Sequence, residues 1–263
     1  MTIAAGFLCN DGIVICADRE VTTDYEKYEE SKIFTINPDG ATTGPTVVIA
    51  GSGWLDFVKM TVDKIRERTL FVTHGYEVKE ILESTLLEVY EKHIHFYPDN
   101  PKPYFDLIVG IRDEKGLTLL KTMRTSVNRI EDFTCMGIGD TLANFLSRKL
   151  SPQDDTVVEA ALLAVQILDQ VKTNVPGCGG QFSEVAVLPS EGKVIKINPS
   201  SLLDLEYRAK AFALLLKPLL MSVSNPTLSD KDFEERIAEL TDECRNIREE
   251  SKERMRRANR KKH

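Results

Sequence analysis

The order in which hydrophobic periodicity changes along the chain constrains its fold more than any single motif. Residues 3–9 and 13–17 are apolar and rich in β-branched side chains, with Asn10-Asp11-Gly12 between them as a turn, so the chain opens on a hairpin. Residues 32–36 and 46–50 read as two further strands, separated by the breaker-rich stretch Asn37-Pro38-Asp39-Gly40-Ala41-Thr42-Thr43-Gly44-Pro45. Four strands thus precede any helix. Trp54, Phe57, Val58, Val62 and Ile65 then recur at helical spacing, as do Val78, Ile81, Leu82, Leu86 and Val89. Residues 104–112, 117–123 and 130–136 read as strands, the first two joined by Asp113-Glu114-Lys115-Gly116. Helical spacing returns over 142–150 and again at Val158, Ala161, Leu162, Val165 and Leu168, with Ser151-Pro152 between the two segments. Residues 182–188 and 193–197 close the series as a hairpin around Ser190-Glu191-Gly192.

A doubly wound parallel sheet needs strand and helix to alternate, and this order does not. Two antiparallel sheets stacked face to face, with a helix pair outside each, would bury every apolar face. The expected class is therefore α+β, a four-layer αββα sandwich, and 263 residues suffice for a substantial core. A hydrophobic content of 42% with 29% charged residues is that of an ordinary soluble protein. Neither a long uncharged apolar span nor a signal-peptide pattern opens the chain, so a cytoplasmic protein with no membrane role is expected. Cys9, Cys16, Cys135, Cys178 and Cys244 form no CxxC pair and read as reduced, mostly buried apolar residues. No metal or other cofactor is expected: His93 and His95 suit one strand face better than a helix, and no carboxylate pattern accompanies them.

Thr2 lies directly behind Met1, and it is small enough for ordinary methionine aminopeptidase to remove that methionine. An N-terminal threonine carries its own base, because a free α-amine titrates near ~7.7–8.0 and can take the hydroxyl proton directly or through a water. Asp18 ends the first hairpin and Lys32 follows in Ser31-Lys32-Ile33-Phe34. Two readings of these residues stand side by side: a catalytic unit with Thr2, or a partly buried ion pair pinning two strands. Lys27 is an alternative to Lys32, without the Ile-Phe strand context that follows Lys32.

The Thr2 start, Gly12-x-Val14-x-x-Ala17-Asp18, Lys32-Ile33, Ala50-Gly51-Ser52-Gly53, Leu107-Ile108-Val109-Gly110 and Gly137-Ile138-Gly139 occur in that order. Together they resemble the proteasome β-subunits and their bacterial relatives, within the N-terminal-nucleophile hydrolases, over roughly residues 2–198. The resemblance implies Thr2 as nucleophile with its freed amine as general base, and Asp18 orienting Lys32. It implies that the Lys32 charge keeps the amine neutral and stabilises the attacking oxygen. It also implies that the backbone N–H of Gly51 receives the oxyanion, a donor typically worth ~2.7–4 kcal/mol in rate. A threonine peptidase or amidase acting on peptide or unfolded-protein substrates through an acyl-enzyme follows, in a homo-oligomer or ring. The departures from the family are Ile138 where it has a serine, Val175 where it has an aspartate, and Cys178 where it has a second serine. Asn174 and Asp140 are the neighbouring residues able to compensate. These departures favour the alternative, a non-catalytic scaffold or binding subunit.

Residues 199–263 exceed that core. Residues 202–223 read as an apolar helix broken at Pro218. Phe233, Ile237, Leu240, Cys244 and Ile247 then form a short coiled-coil seam that either lies back on its own domain or meets a partner, such as an ATPase. Residues 231–263 hold eleven Lys or Arg against nine Asp or Glu, so a basic end follows an acidic body. Without interleaved aromatics that end reads as a solvated helix terminus rather than a nucleic-acid contact.

Overall fold

The computed structural model describes residues 2–23, 25–40, 44–69, 72, 74–98, 102–150 and 156–260. Met1, Ala41-Thr42-Thr43, the Ser151-Pro152 break, and Lys261 and Lys262 of the basic end lie outside the described residues. Contacts divide the chain into two units, Met1–Pro199 and Ser200–His263.

The first unit begins with β1 (Ile3–Cys9), β2 (Gly12–Asp18), the short β3 (Glu20–Thr22) and β4 (Lys27–Glu29), β5 (Ile33–Ile36) and β6 (Thr46–Gly53). Helices α1 (Leu55–Thr69) and α2 (Gly75–Val89) follow, α2 running into a π-helical turn over Tyr90–Ile94. Next come β7 (Phe105–Asp113), β8 (Gly116–Met123), β9 (Ser126–Ile130), β10 (Phe133–Gly137), α3 (Asp140–Leu150) and α4 (Val157–Asn174), then β11 (Ser183–Pro189) and β12 (Ile195–Lys196). One five-stranded antiparallel sheet has the order β10-β1-β2-β11-β12, and the other runs β5-β6-β7-β8-β9.

The apolar runs explain the stacking. Val47, Val48, Ile49 and Ala50 are all fully buried, so β6 is covered on both faces and carries no alternation. Val48 and Ala50 face the other sheet, where they meet Ala4, Ile13, Ile15, Ala17, Ala186 and Leu188. Val47 and Ile49 face α1 and α2, packing with Phe57, Val58, Val62, Leu82 and Leu86. On the far side of the first sheet, α4 buries Ala160, Ala164, Val165, Leu168 and Val171. A Cβ on Gly12 would lie 2.6 Å from Val157 Cγ1 and one on Gly139 2.4 Å from Val171 Cγ1, so glycine lets α4 approach the sheet at both its ends. The result is the expected helix–sheet–sheet–helix sandwich.

Three local expectations are corrected. The third middle strand is two: β9 stays in the second sheet, and after Glu131-Asp132 the chain crosses so that β10 pairs with β1. The Asp132 carbonyl accepts from Leu8 N–H (2.7 Å) at this crossing. Between Asp18 and Lys32 there is an additional small hairpin, β3 with β4. His93 and His95 lie near a helix end, in and just after the π-helical turn that continues α2. Helix α5 (Pro199–Ser224) runs through Pro218, since one missing N–H removes a single bond from a long helix.

The second unit continues with α6 (Asp230–Arg260), which carries the whole heptad seam on one helix. Tyr207 donates to Glu250 Oε2 (3.3 Å), linking α5 to α6. Among the described residues no helix is long and apolar enough to cross a membrane.

Candidate active site

Thr2 precedes β1 and is 97% enclosed, with 3% of its surface exposed. Ile3 pairs with Gly137 and Ala4 with Ala17, which brings the end of β10 and the end of β2 to either side of the threonine. Gly137 has φ +95°, and a Cβ there would lie 2.1 Å from the Thr2 carbonyl oxygen and 2.9 Å from Ser52 Oγ. Only glycine accommodates that conformation and approach.

Asp18 is the last residue of β2 and is fully buried; Lys32, just before β5 in the opposite sheet, is 3% exposed. The Lys32 ammonium donates to Thr2 Oγ1 (2.9 Å), Asp18 Oδ1 (2.8 Å) and the Glu20 carbonyl (2.6 Å). Acceptors aimed at its protons are the condition for holding a buried ammonium. Asp18 Oδ1 also accepts from Ile3 N–H (3.2 Å), and Oδ2 from Gly179 N–H (3.2 Å). Burial raises the Asp18 pKa above its ordinary value, while the Lys32 charge and hydrogen bond and the two backbone donors oppose that rise. The pair is buried, ionic and aimed at a hydroxyl. An ammonium donating to Oγ1 stabilises negative charge developing on that oxygen.

The other expected residues divide. Lys27 is out in solvent on Glu20 Oε1 (2.8 Å), so Lys32 is the lysine brought to Thr2. Gly51 N–H donates to the Lys32 carbonyl (3.0 Å), which engages the expected oxyanion donor inside the sheet. Gly51 has a packing role instead: a Cβ there would fall 2.2 Å from Val58 Cγ1 of α1. Ile138 is half exposed. Val175 ends α4 with its N–H on the Val171 carbonyl. Asn174 donates to the Gln170 carbonyl of its own helix (2.8 Å), and Asp140 accepts from Thr141 (3.1 Å). Cys178 is buried beside the position a Cβ on Gly139 would take (3.1 Å). Burial, with the Asp18 charge adding and Lys32 opposing, pushes its thiol up to about 12, so it is a neutral, weak hydrogen-bonding group at neutral pH.

Sequence reasoning missed five contributors. They are the Glu20 carbonyl, the Gly179 N–H, Ser52 beside Gly137, and the carboxylates of Glu29 and Glu184, which secure the surrounding loops. Glu29 Oε1 accepts from the N–H groups of Gln181 and Phe182, holding the loop that presents Gly179. Glu184 Oε2 accepts from Ser31 Oγ (3.0 Å) and Lys32 N–H (3.1 Å). The Gly179-Gly180 pair was the one available signal, because Gly180 has φ +93° and a Cβ on it would reach Glu29 Oε1 at 3.0 Å.

No family model matches the chain. It is 25% identical to proteasome subunit beta 1 of Pyrobaculum calidifontis over 198 residues, 73% of this chain and 92% of that one. It is 26% identical to proteasome subunit alpha of Methanocaldococcus jannaschii over 178 residues, 66% of this chain and 65% of that one. Among solved structures, Anbu (ancestral beta-subunit) from Yersinia bercovieri superposes with a TM-score of 0.70 at 15% identity, covering 87% of this chain and all (100%) of that one. The Gly-1 mutant of Anbu from Hyphomicrobium sp. strain MC1 gives 0.68 at 15% identity with the same coverage, 87% and 100%.

Proposed function

We propose that this divergent proteasome β-like chain is a threonine peptidase or amidase of the N-terminal-nucleophile type. The observation that carries the reading is the Lys32 ammonium held between Asp18 Oδ1 and Thr2 Oγ1, at 2.8 and 2.9 Å. After removal of Met1, the Thr2 amine takes the Oγ1 proton as Oγ1 bonds to the substrate carbonyl carbon. The proton passes to the departing amine as the amide C–N bond breaks, leaving an ester on Thr2. Water then attacks that ester, its proton going to the Thr2 amine and from there to Oγ1 as the C–Oγ1 bond breaks, and the acid product leaves. Lys32 stabilises the charge on Oγ1 and disfavours protonation of the amine; Asp18 holds Lys32. Both curated relatives are named as subunits, and this chain is proposed to assemble likewise with copies of itself, as a ring.

The engagement of Gly51 N–H and the exposed Ile138 favour a second reading, a non-catalytic scaffold on the same fold. Intact-mass measurement combined with fluorogenic-peptide hydrolysis and labelling by a threonine-directed electrophile separates the two. Loss of Met1, hydrolysis and a covalent adduct, all abolished in Thr2→Ala, support the enzyme. Retained Met1, or hydrolysis indifferent to Thr2→Ala, sinks it. Light scattering that finds a monomer at working concentration removes the ring.

A further inference from the structure

We infer that Glu184 is a positioning residue that places Lys32 at Thr2; this rests on the peptidase reading above. Lys32 and its target belong to different sheets. Thr2 and Asp18 flank strands of the first sheet, whereas Lys32 leads into β5, which first pairs at Ile33 with Ala50 of the second. Something must set the distance between these two frames at the site, because a displacement of about 1 Å in a reacting group can cost ~100-fold in rate.

Glu184 spans that gap. It stands opposite Ala17 in the β11–β2 register, one place from the Ser183–Asp18 pair. Residues directly opposite in a ladder share a face, and Ala17 packs in the core between the sheets. The Glu184 carboxylate therefore leaves the first sheet toward the second, where Oε2 takes both Ser31 Oγ (3.0 Å) and Lys32 N–H (3.1 Å). Lys32 is then gripped at both backbone groups: its N–H by Glu184 and its carbonyl by Gly51 N–H (3.0 Å). On the other side, Arg19 NH1 lies 3.7 Å from Glu184 Oε1 and steadies the carboxylate. One oxygen with two lone pairs does the holding, so a glutamine whose amide oxygen takes the place of Oε2 keeps both acceptor bonds. Alanine leaves the Lys32 N–H and the Ser31 hydroxyl without that acceptor.

The test compares the parent, E184Q, E184A and Thr2→Ala in two assays on the full chain. Peptide hydrolysis gives kcat and KM, and mass spectrometry after a pulse of acetic anhydride gives the acetylation of Lys32. E184A is expected to lower kcat by about 10- to 100-fold with KM unchanged, the scale of a displaced catalytic group. It is also expected to raise acetylation of Lys32, which is protected in the parent at 3% exposure. E184Q is expected to restore both. Parental kcat and parental Lys32 protection in E184A overturn the inference, as does E184Q failing to rescue. Should E184A not fold, E184D, which shortens the reach by one methylene, carries the same comparison. If the parent is no more active than Thr2→Ala, the peptidase reading has failed, and the acetylation of Lys32 alone decides whether Glu184 places that side chain.

Discussion

Replacing Asp18 by asparagine removes one charge with almost no change of shape, and the surroundings set the size of the effect. Lys32 stays 3% exposed, with the Thr2 hydroxyl and the Glu20 carbonyl still accepting from its ammonium, but its counter-charge is gone. Burial pushes the Asp18 pKa up despite Lys32, so losing the negative charge does not by itself lower stability at neutral pH. The loss comes from hydrogen bonding: Oδ1 accepts from Ile3 N–H and Lys32 and Oδ2 from Gly179 N–H, and an asparagine amide must set its NH2 group against one side of that donor set. A buried donor left unsatisfied costs about 1–3 kcal/mol. In a unit of nearly 200 residues that corresponds to a fall in Tm of roughly 2–12 °C. Replacing both partners, Asp18→Leu with Lys32→Met, removes both buried charges and is expected to return stability to within about 1 kcal/mol of the parent. Urea and thermal unfolding followed by circular dichroism measure all three proteins, and peptide hydrolysis is expected to be absent in both variants. An Asp18→Asn variant within about 0.5 kcal/mol of the parent would refute the reasoning. So would a double variant as unstable as the single one.

The direction of the Asp18 shift predicts a pH dependence. The folded state holds the Asp18 proton at higher pH than the unfolded chain, whose value is 3.8, so this group's contribution to stability falls as pH rises from 3.8 through the raised folded value and is level beyond it. Activity needs the ionised carboxylate, so the acid limb of kcat/KM is expected above 3.8, and a limb at or below that value contradicts it. Gly137→Ala puts a Cβ 2.1 Å from the Thr2 carbonyl at φ +95°; strain of about 1–3 kcal/mol and loss of hydrolysis are expected, checked by urea unfolding and peptide turnover. Lys27→Ala removes an exposed ion pair with Glu20 and should alter neither stability, beyond about 0.5 kcal/mol, nor turnover. A marked loss of activity in that variant would reassign the lysine.

The order of elements was legible in the sequence because it is written in neighbouring residues. A run such as Val47-Val48-Ile49-Ala50 announces a strand buried on both faces, and Val78, Ile81, Leu82 and Leu86 announce a helix stripe. Thr2, Asp18 and Lys32 were legible for the same reason, each marking an edge of an apolar run. The split of 130–136 and the path of Pro218 were misread where periodicity is short or a single residue type dominates the reading. What only the tertiary structure decided is who meets whom. The Lys32 ammonium finds acceptors 14 and 30 residues away, and the Lys32 N–H finds Glu184 across 152 residues. Gly51, expected as a donor to an oxyanion, spends its N–H on the Lys32 carbonyl because β5 pairs there with β6. Local periodicity sets which face of an element is apolar, and burying those faces stacks the sheets. Which polar groups that stacking leaves opposite one another depends on register and on the distance between sheets, and no window of adjacent residues contains either.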